Sequence, residues 1–159
     1  MTYNSKKAVM RMLVSAIVVI CYVVYALGGN APLSNDLAAW ALRLLTYVGI
    51  SIVGHIIAAI IFEIVMVIGI TIKEETRDEG VIKRIVKSVT KVDERDKLIE
   101  LKSSQVGFIC CGGGVLLMLV MLAADLPTIW ALHGLVATGY LGSLLEGLLK
   151  INYYERGLN

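Results

Sequence analysis

Four ionisable side chains lie inside long apolar runs of the sequence: His55, Glu63, His133 and Glu146. A strongly charged group in such a setting costs about 2.5–3.5 kcal/mol on insertion scales, so each needs a task or a partner. A carboxyl group shielded from water is pushed toward its neutral form and then exchanges protons near neutral pH. His55 and Glu63 are eight residues apart, about 80° around a helix with 100° steps, so they share a broad face. With Ser51 they form a polar stripe expected to face Thr138, Tyr140 or Ser143 across a helical core. The competing reading is structural, because a protonated Glu bonded to a Ser and a neutral His bonded to a carbonyl are common interhelical ties. Glu146 stands four residues ahead of Lys150, the order that favours an ion pair on one helix face.

Other chemistries find less support. His55 and His133 are expected at similar depth, about 8 Å outward from mid-span, but no H-x-x-x-H or C-x-x-C spacing accompanies them. No metal and no cofactor are therefore expected. Cys21, Cys110 and Cys111 all lie in apolar runs and read as small packing residues. Signatures of hydrolases and metalloproteases are missing, so the expected function is non-enzymatic. Basic residues are interleaved with almost as many acids, which gives nucleic-acid binding no support.

Glycine marks where helices are expected to touch. Gly112-Gly113-Gly114 removes side chains over nearly one helical turn, and Gly139 and Gly142 with Ser143 offer a second small face. These faces predict close packing of the third and fourth spans, with Gly113 turned inward.

The elements that position these residues follow from composition. Of 159 residues 57% are hydrophobic and 18% charged, against about 45–50% and about 25% in an ordinary soluble domain. The mean hydropathy is +0.77, and the charge is concentrated between Lys73 and Lys102. A hydrocarbon core about 30 Å thick needs roughly 20 apolar residues as helix. Spans are predicted at about 8–27, 47–72, 105–124 and 128–149. The fold class is an all-α integral membrane protein, a single antiparallel bundle of four transmembrane helices over residues 1–159. Lys6 and Lys7 ahead of an apolar run ending in Ala26-Leu27-Gly28 resemble a signal peptide, but the run exceeds a usual h-region and reads as a retained span.

Residues 37–72 would reach about 54 Å as one helix, more than a crossing needs. Tilt absorbs too little of the excess. The favoured reading is an interfacial segment over 35–46, capped by Ser34 or Asn35, with a bend near Gly49. The alternative is one helix that projects beyond the membrane.

Four crossings leave only Arg43, among the 15 Lys and Arg residues, on the outer side. The positive-inside rule then places both termini and the loop 73–104 in the cytoplasm. Within that loop Val81, Ile82, Ile85, Val86, Val89 and Val92 recur at helical spacing opposite Lys83, Arg84, Lys87 and Lys91. This predicts a basic amphipathic helix after Gly80, lying on the inner leaflet or against a partner. Asp93 and Asp96 have capping-box spacing, so a new helix is expected from Glu94 straight into the third span.

The run Asp93-Glu94-Arg95-Asp96-Lys97-Leu98-Ile99-Glu100-Leu101-Lys102 ahead of the third span, with Tyr154-Glu155-Arg156-Gly157 after the fourth, resembles small prokaryotic four-span membrane proteins. The resemblance covers the C-terminal 70 or so residues. It implies a fold and a prokaryotic cytoplasmic (inner) membrane, and it carries no activity. Asp93 or Glu94 is expected near Arg156, and Asp93, Glu94, Arg95, Asp96 and Arg156 are candidates for docking or capping.

Two functions follow. One is an oligomeric transporter or channel-like unit with His55 and Glu63 beside its path. The other is an accessory, regulatory or anchoring subunit that docks a partner through the loop. The expected partners are the lipid bilayer and either further copies of the chain or a membrane subunit.

Overall fold

The computed structural model describes residues 3–28, 36–73, 79–89 and 93–157. Among these, five helices account for the regular structure: α1 (Tyr3–Leu27), α2 (Leu37–Lys73), α3 (Glu79–Val89), α4 (Glu94–Ala123) and α5 (Thr128–Arg156). Helices α1, α2, α4 and α5 are long and apolar enough to cross a membrane. Their outer faces carry exposed Ile, Leu and Val such as Ile17, Ile60, Leu116 and Leu141. A soluble monomer rarely exposes contiguous apolar surface on this scale, so these faces are suited to lipid.

Sequential spans run antiparallel. Tyr3 at the start of α1 stacks near Phe62 of α2, and Tyr25 near its end meets Trp40. On α5, Glu155 and His133 lie against Ser5 and Tyr22 of the same helix α1. Helix α1 packs on α2 and on α5, while α4 packs chiefly along α5. Helices α2 and α5 meet only briefly, so a cleft remains between them. The face of α1 that makes these contacts is a stripe of small and polar residues: Ser5, Ala8, Ser15, Val18 and Tyr22 are buried.

The long second stretch is one continuous helix, without the break at Gly49 that a separate segment over 35–46 would need. Asp36 accepts from the backbone N–H of Ala39 at 2.9 Å and so caps the helix; Ser34 and Asn35 lie outside the described residues. Trp40 and Leu44 are buried, which pins the first turns to the bundle instead of releasing them to an interface. One glycine in a helix interior costs about 1 kcal/mol, too little to break packed helix. The excess length goes to the other end. Phe62 is level with Tyr3, so the last eleven or so residues of α2 extend about 16 Å past the start of α1.

The capping box at Asp93 is present as expected, with Asp93 Oδ1 accepting from Asp96 N at 2.7 Å and Asp96 Oδ2 from Asp93 N at 3.1 Å. Helix α4 then continues unbroken to Ala123. It turns into α5 through Asp125, whose φ of 54° places it in the left-handed region that Asp tolerates. Helix α3 begins at Glu79, slightly before the expected start, and Ile85 and Val86 on its apolar stripe are half-buried. The stripe's continuation at Val92 and the lysine at 91 lie outside the described residues.

Candidate functional site

The polar centre of the molecule is built around Ser15 on α1, which is 2% exposed. Its Oγ lies 3.2 Å from His55 Nε2 on α2 and 3.1 Å from Ser143 Oγ on α5. His55 Nδ1 is 2.7 Å from the carbonyl of Ser51 one turn earlier. A carbonyl only accepts, so Nδ1 carries a proton and, in the neutral ring, Nε2 accepts from Ser15. Ser15 has spent its hydrogen, so Ser143 donates to Ser15. Adding a proton to Nε2 reverses the sequence: the imidazolium donates to Ser15, Ser15 donates to Ser143, and the Ser143 hydrogen turns outward. Three helices thus share one hydrogen-bonded relay, from His55 through Ser15 to Ser143.

This relay is a partition between two cavities. One, of about 390 Å³, lies toward the α1 N-terminus and is walled by Arg11, Ala59, Glu146 and Lys150 besides His55 and Ser143. The second, of about 270 Å³, lies on the far side among Ser51, Gly139 and Tyr140, again with His55 and Ser143 in its wall. The Tyr140 hydroxyl is buried, turned toward Ser51, and without a hydrogen-bond partner among the described residues. A third cavity, of about 590 Å³, opens at the basic end between α1, α4 and the end of α5, and shares Arg11 with the first.

His133 lies elsewhere. Its Nδ1 is hydrogen-bonded to the Tyr22 hydroxyl, and Trp40 meets its ring edge-on at 4.6 Å. Ser15 and Tyr22 are seven residues apart on α1, so the two histidines differ in depth by about 10 Å rather than sharing a level. The predicted span 47–72 has its middle near residue 60, whereas the middle of α2 falls at His55. No group of three His, Cys, Asp or Glu side chains comes together among the described residues.

The same shift moves Glu63. It stands at the basic end, 51% exposed, where Lys7 Nζ at 3.2 Å and the Tyr3 hydroxyl at 3.0 Å donate to Oε1. It faces no bundle core, and burial does not govern its carboxylate. Glu146 behaves as its spacing implied: Lys150 Nζ donates to it at 2.7 Å and also to Glu100 Oε1 at 2.8 Å. Thr138 is satisfied within its own helix, donating to Gly134 and Leu135 carbonyls, and faces α4 rather than α2.

The packing of α4 on α5 is the most extensive in the molecule, but its glycines are only partly those expected. Gly114 and Gly142 are buried at the contact; a Cβ at 142 would stand 2.8 Å from Cys110 Cβ. At Gly112, Gly113 and Gly139 a Cβ would meet nothing within 4 Å. Three successive helical positions span about 200°, so one faces the partner while its neighbours turn away. Gly107 was missed: Glu146 Oε2 fills the space where its side chain would be, at 2.7 Å.

Among the tail and loop residues, Asp93 and Asp96 cap, and Arg95 Nη2 donates to the Tyr153 carbonyl at 3.5 Å. Neither Asp93 nor Glu94 pairs with Arg156; the expected pairing is replaced by this backbone contact. Ser15, Arg11 and Tyr22 were also missed as site residues. Their signal was the 3- and 7-residue recurrence of small and polar side chains on α1, which sets Ala8, Ser15 and Tyr22 on one face. Compared with family models, with curated proteins and with solved structures, the chain matches none.

Proposed function

We propose that the protein is a small non-enzymatic transport or channel-like unit whose path follows the cleft among α1, α2 and α5. In this reading the basic end faces the cytoplasm, both termini lie there, and the membrane is the cytoplasmic membrane of a prokaryote. One observation carries the reading: His55 and Ser143 line a cavity on each side of the relay, and Ser15 ties them together. Purely structural ties need no such space beside them, whereas a permeation path needs weak polar stations separated by passages. The cleft is also open laterally, so a second copy or a membrane subunit would complete its wall.

The test is flux of protons and small ions into liposomes holding the full-length protein. Uptake above that of empty liposomes, lost in His55→Ala protein that remains monodisperse, supports the reading. Uptake equal to empty liposomes sinks it and leaves the accessory role, with α3 as the docking element.

A further inference from the structure

Arg11 occupies a singular place among the cavities. It lines both the basic-end cavity and the one beneath the relay, and among the described residues its guanidinium makes no hydrogen bond or ion pair. The acids in the same walls are already engaged. Glu146 and Glu100 share Lys150, and Asp96 accepts from the backbone of Asp93. Lys7 is held by Glu63, while Lys97 adds a further cation to the basic-end cavity. In the outer cavity the Tyr140 hydroxyl is buried and turned toward Ser51, with no hydrogen bond of ordinary geometry among the described residues. A guanidinium and a hydroxyl, neither in such a bond, stand on either side of the His55 relay. Both are the groups that stabilise an anion, and a cation meets repulsion at Arg11.

Building on the transport reading above, we propose that the solute is a small anion, seated first at Arg11 and then at Tyr140. The spaces flanking the relay, about 390 and 270 Å³, are open grooves with room for a small ion. Their neck is polar on all three helices, and it offers a free hydrogen, that of Ser143, once His55 Nε2 carries a proton.

Full-length protein in phosphatidylcholine liposomes is assayed for uptake of labelled chloride, acetate and rubidium. Chloride or acetate is expected to enter about tenfold faster than rubidium, the low end of the enrichment a charged cleft gives its counter-ion. Arg11→Gln, which removes no described contact, lowers anion uptake about tenfold, and Arg11→Lys restores most of it. Tyr140→Phe slows anion uptake without admitting rubidium. Rubidium or proton flux with no anion flux overturns the anion assignment while leaving a path past His55. Absence of flux for every probe removes the path and the anion together. If instead Arg11→Gln only reduces the phosphatidylglycerol retained in mild detergent, Arg11 is a lipid headgroup seat and the proposal fails.

Discussion

Thr138 on α5 lies directly against Gly114 on α4, and a Cβ at position 114 would overlap its Oγ1. The threonine is held there by hydrogen bonds to Gly134 and Leu135 in its own helix, so it does not swing away cheaply. Gly114→Ala is therefore expected to destabilise the α4–α5 pair by about 1–3 kcal/mol, as overpacking of a tight contact does. Gly113→Ala meets open space and is expected to raise stability slightly, because alanine favours helix by about 1 kcal/mol over glycine. Thermal unfolding in detergent compares them. Equal loss at both positions would mean that the outward glycines are covered by another chain.

Ser15→Ala removes the hydroxyl shared by His55 and Ser143. An imidazole nitrogen losing its partner costs up to about 1–3 kcal/mol when fully buried, and less at the half-buried His55. Ser15→Thr keeps the hydroxyl and isolates its role from its small size. Flux lost in Ser15→Ala and retained in Ser15→Thr supports the relay; flux unchanged in Ser15→Ala makes the serine a packing residue.

The apolar helices themselves, the cap at Asp93 and the Glu146–Lys150 pair were legible because each depends on neighbours within one or two turns. Where α2 began and ended was not. Its apolar run has no internal stop, and only the burial of Trp40 against the aromatic cluster decides that its first turns stay docked. That single decision moved His55 to mid-helix and Glu63 to the rim. Which of three consecutive glycines faces a partner is likewise a rotation about the helix axis. Thr138 fixes it, and nothing within 112–114 does. The part of Ser15 was readable in principle, since a serine at heptad distance from Ala8 and Tyr22 marks the inward face of α1.

The capping box gives a local test. Asp93→Ala leaves the Asp96 backbone N–H without its acceptor and is expected to cost about 0.5–2 kcal/mol. Helix α4 continues from this cap into the candidate span, so fraying should stay within its first turn. Hydrogen exchange is expected to rise at residues 94–97 and not at 105–120. Faster exchange across the whole helix would mean that the cap controls the docking of α4.

Two ion pairs of similar length should differ in worth. Lys150 is 8% exposed and lies between Glu100 and Glu146, 59% and 28% exposed. Lys150→Met leaves two carboxylates facing each other, Glu146 with its Oε2 pressed into the space beside Gly107. The cost should approach, but not reach, the about 3–5 kcal/mol of a fully buried broken pair, because Glu100 keeps much of its water. Adding Glu146→Gln should recover part of that loss. Lys7 and Glu63 are 29% and 51% exposed, so Glu63→Gln should cost at most about 1 kcal/mol. It should also leave liposome flux close to wild type, since no relay residue touches it. Unfolding midpoints of the variants rank the pairs. A Glu63→Gln loss as large as that of Lys150→Met, or an abolished flux, would return Glu63 to the path and remove His55 from its centre.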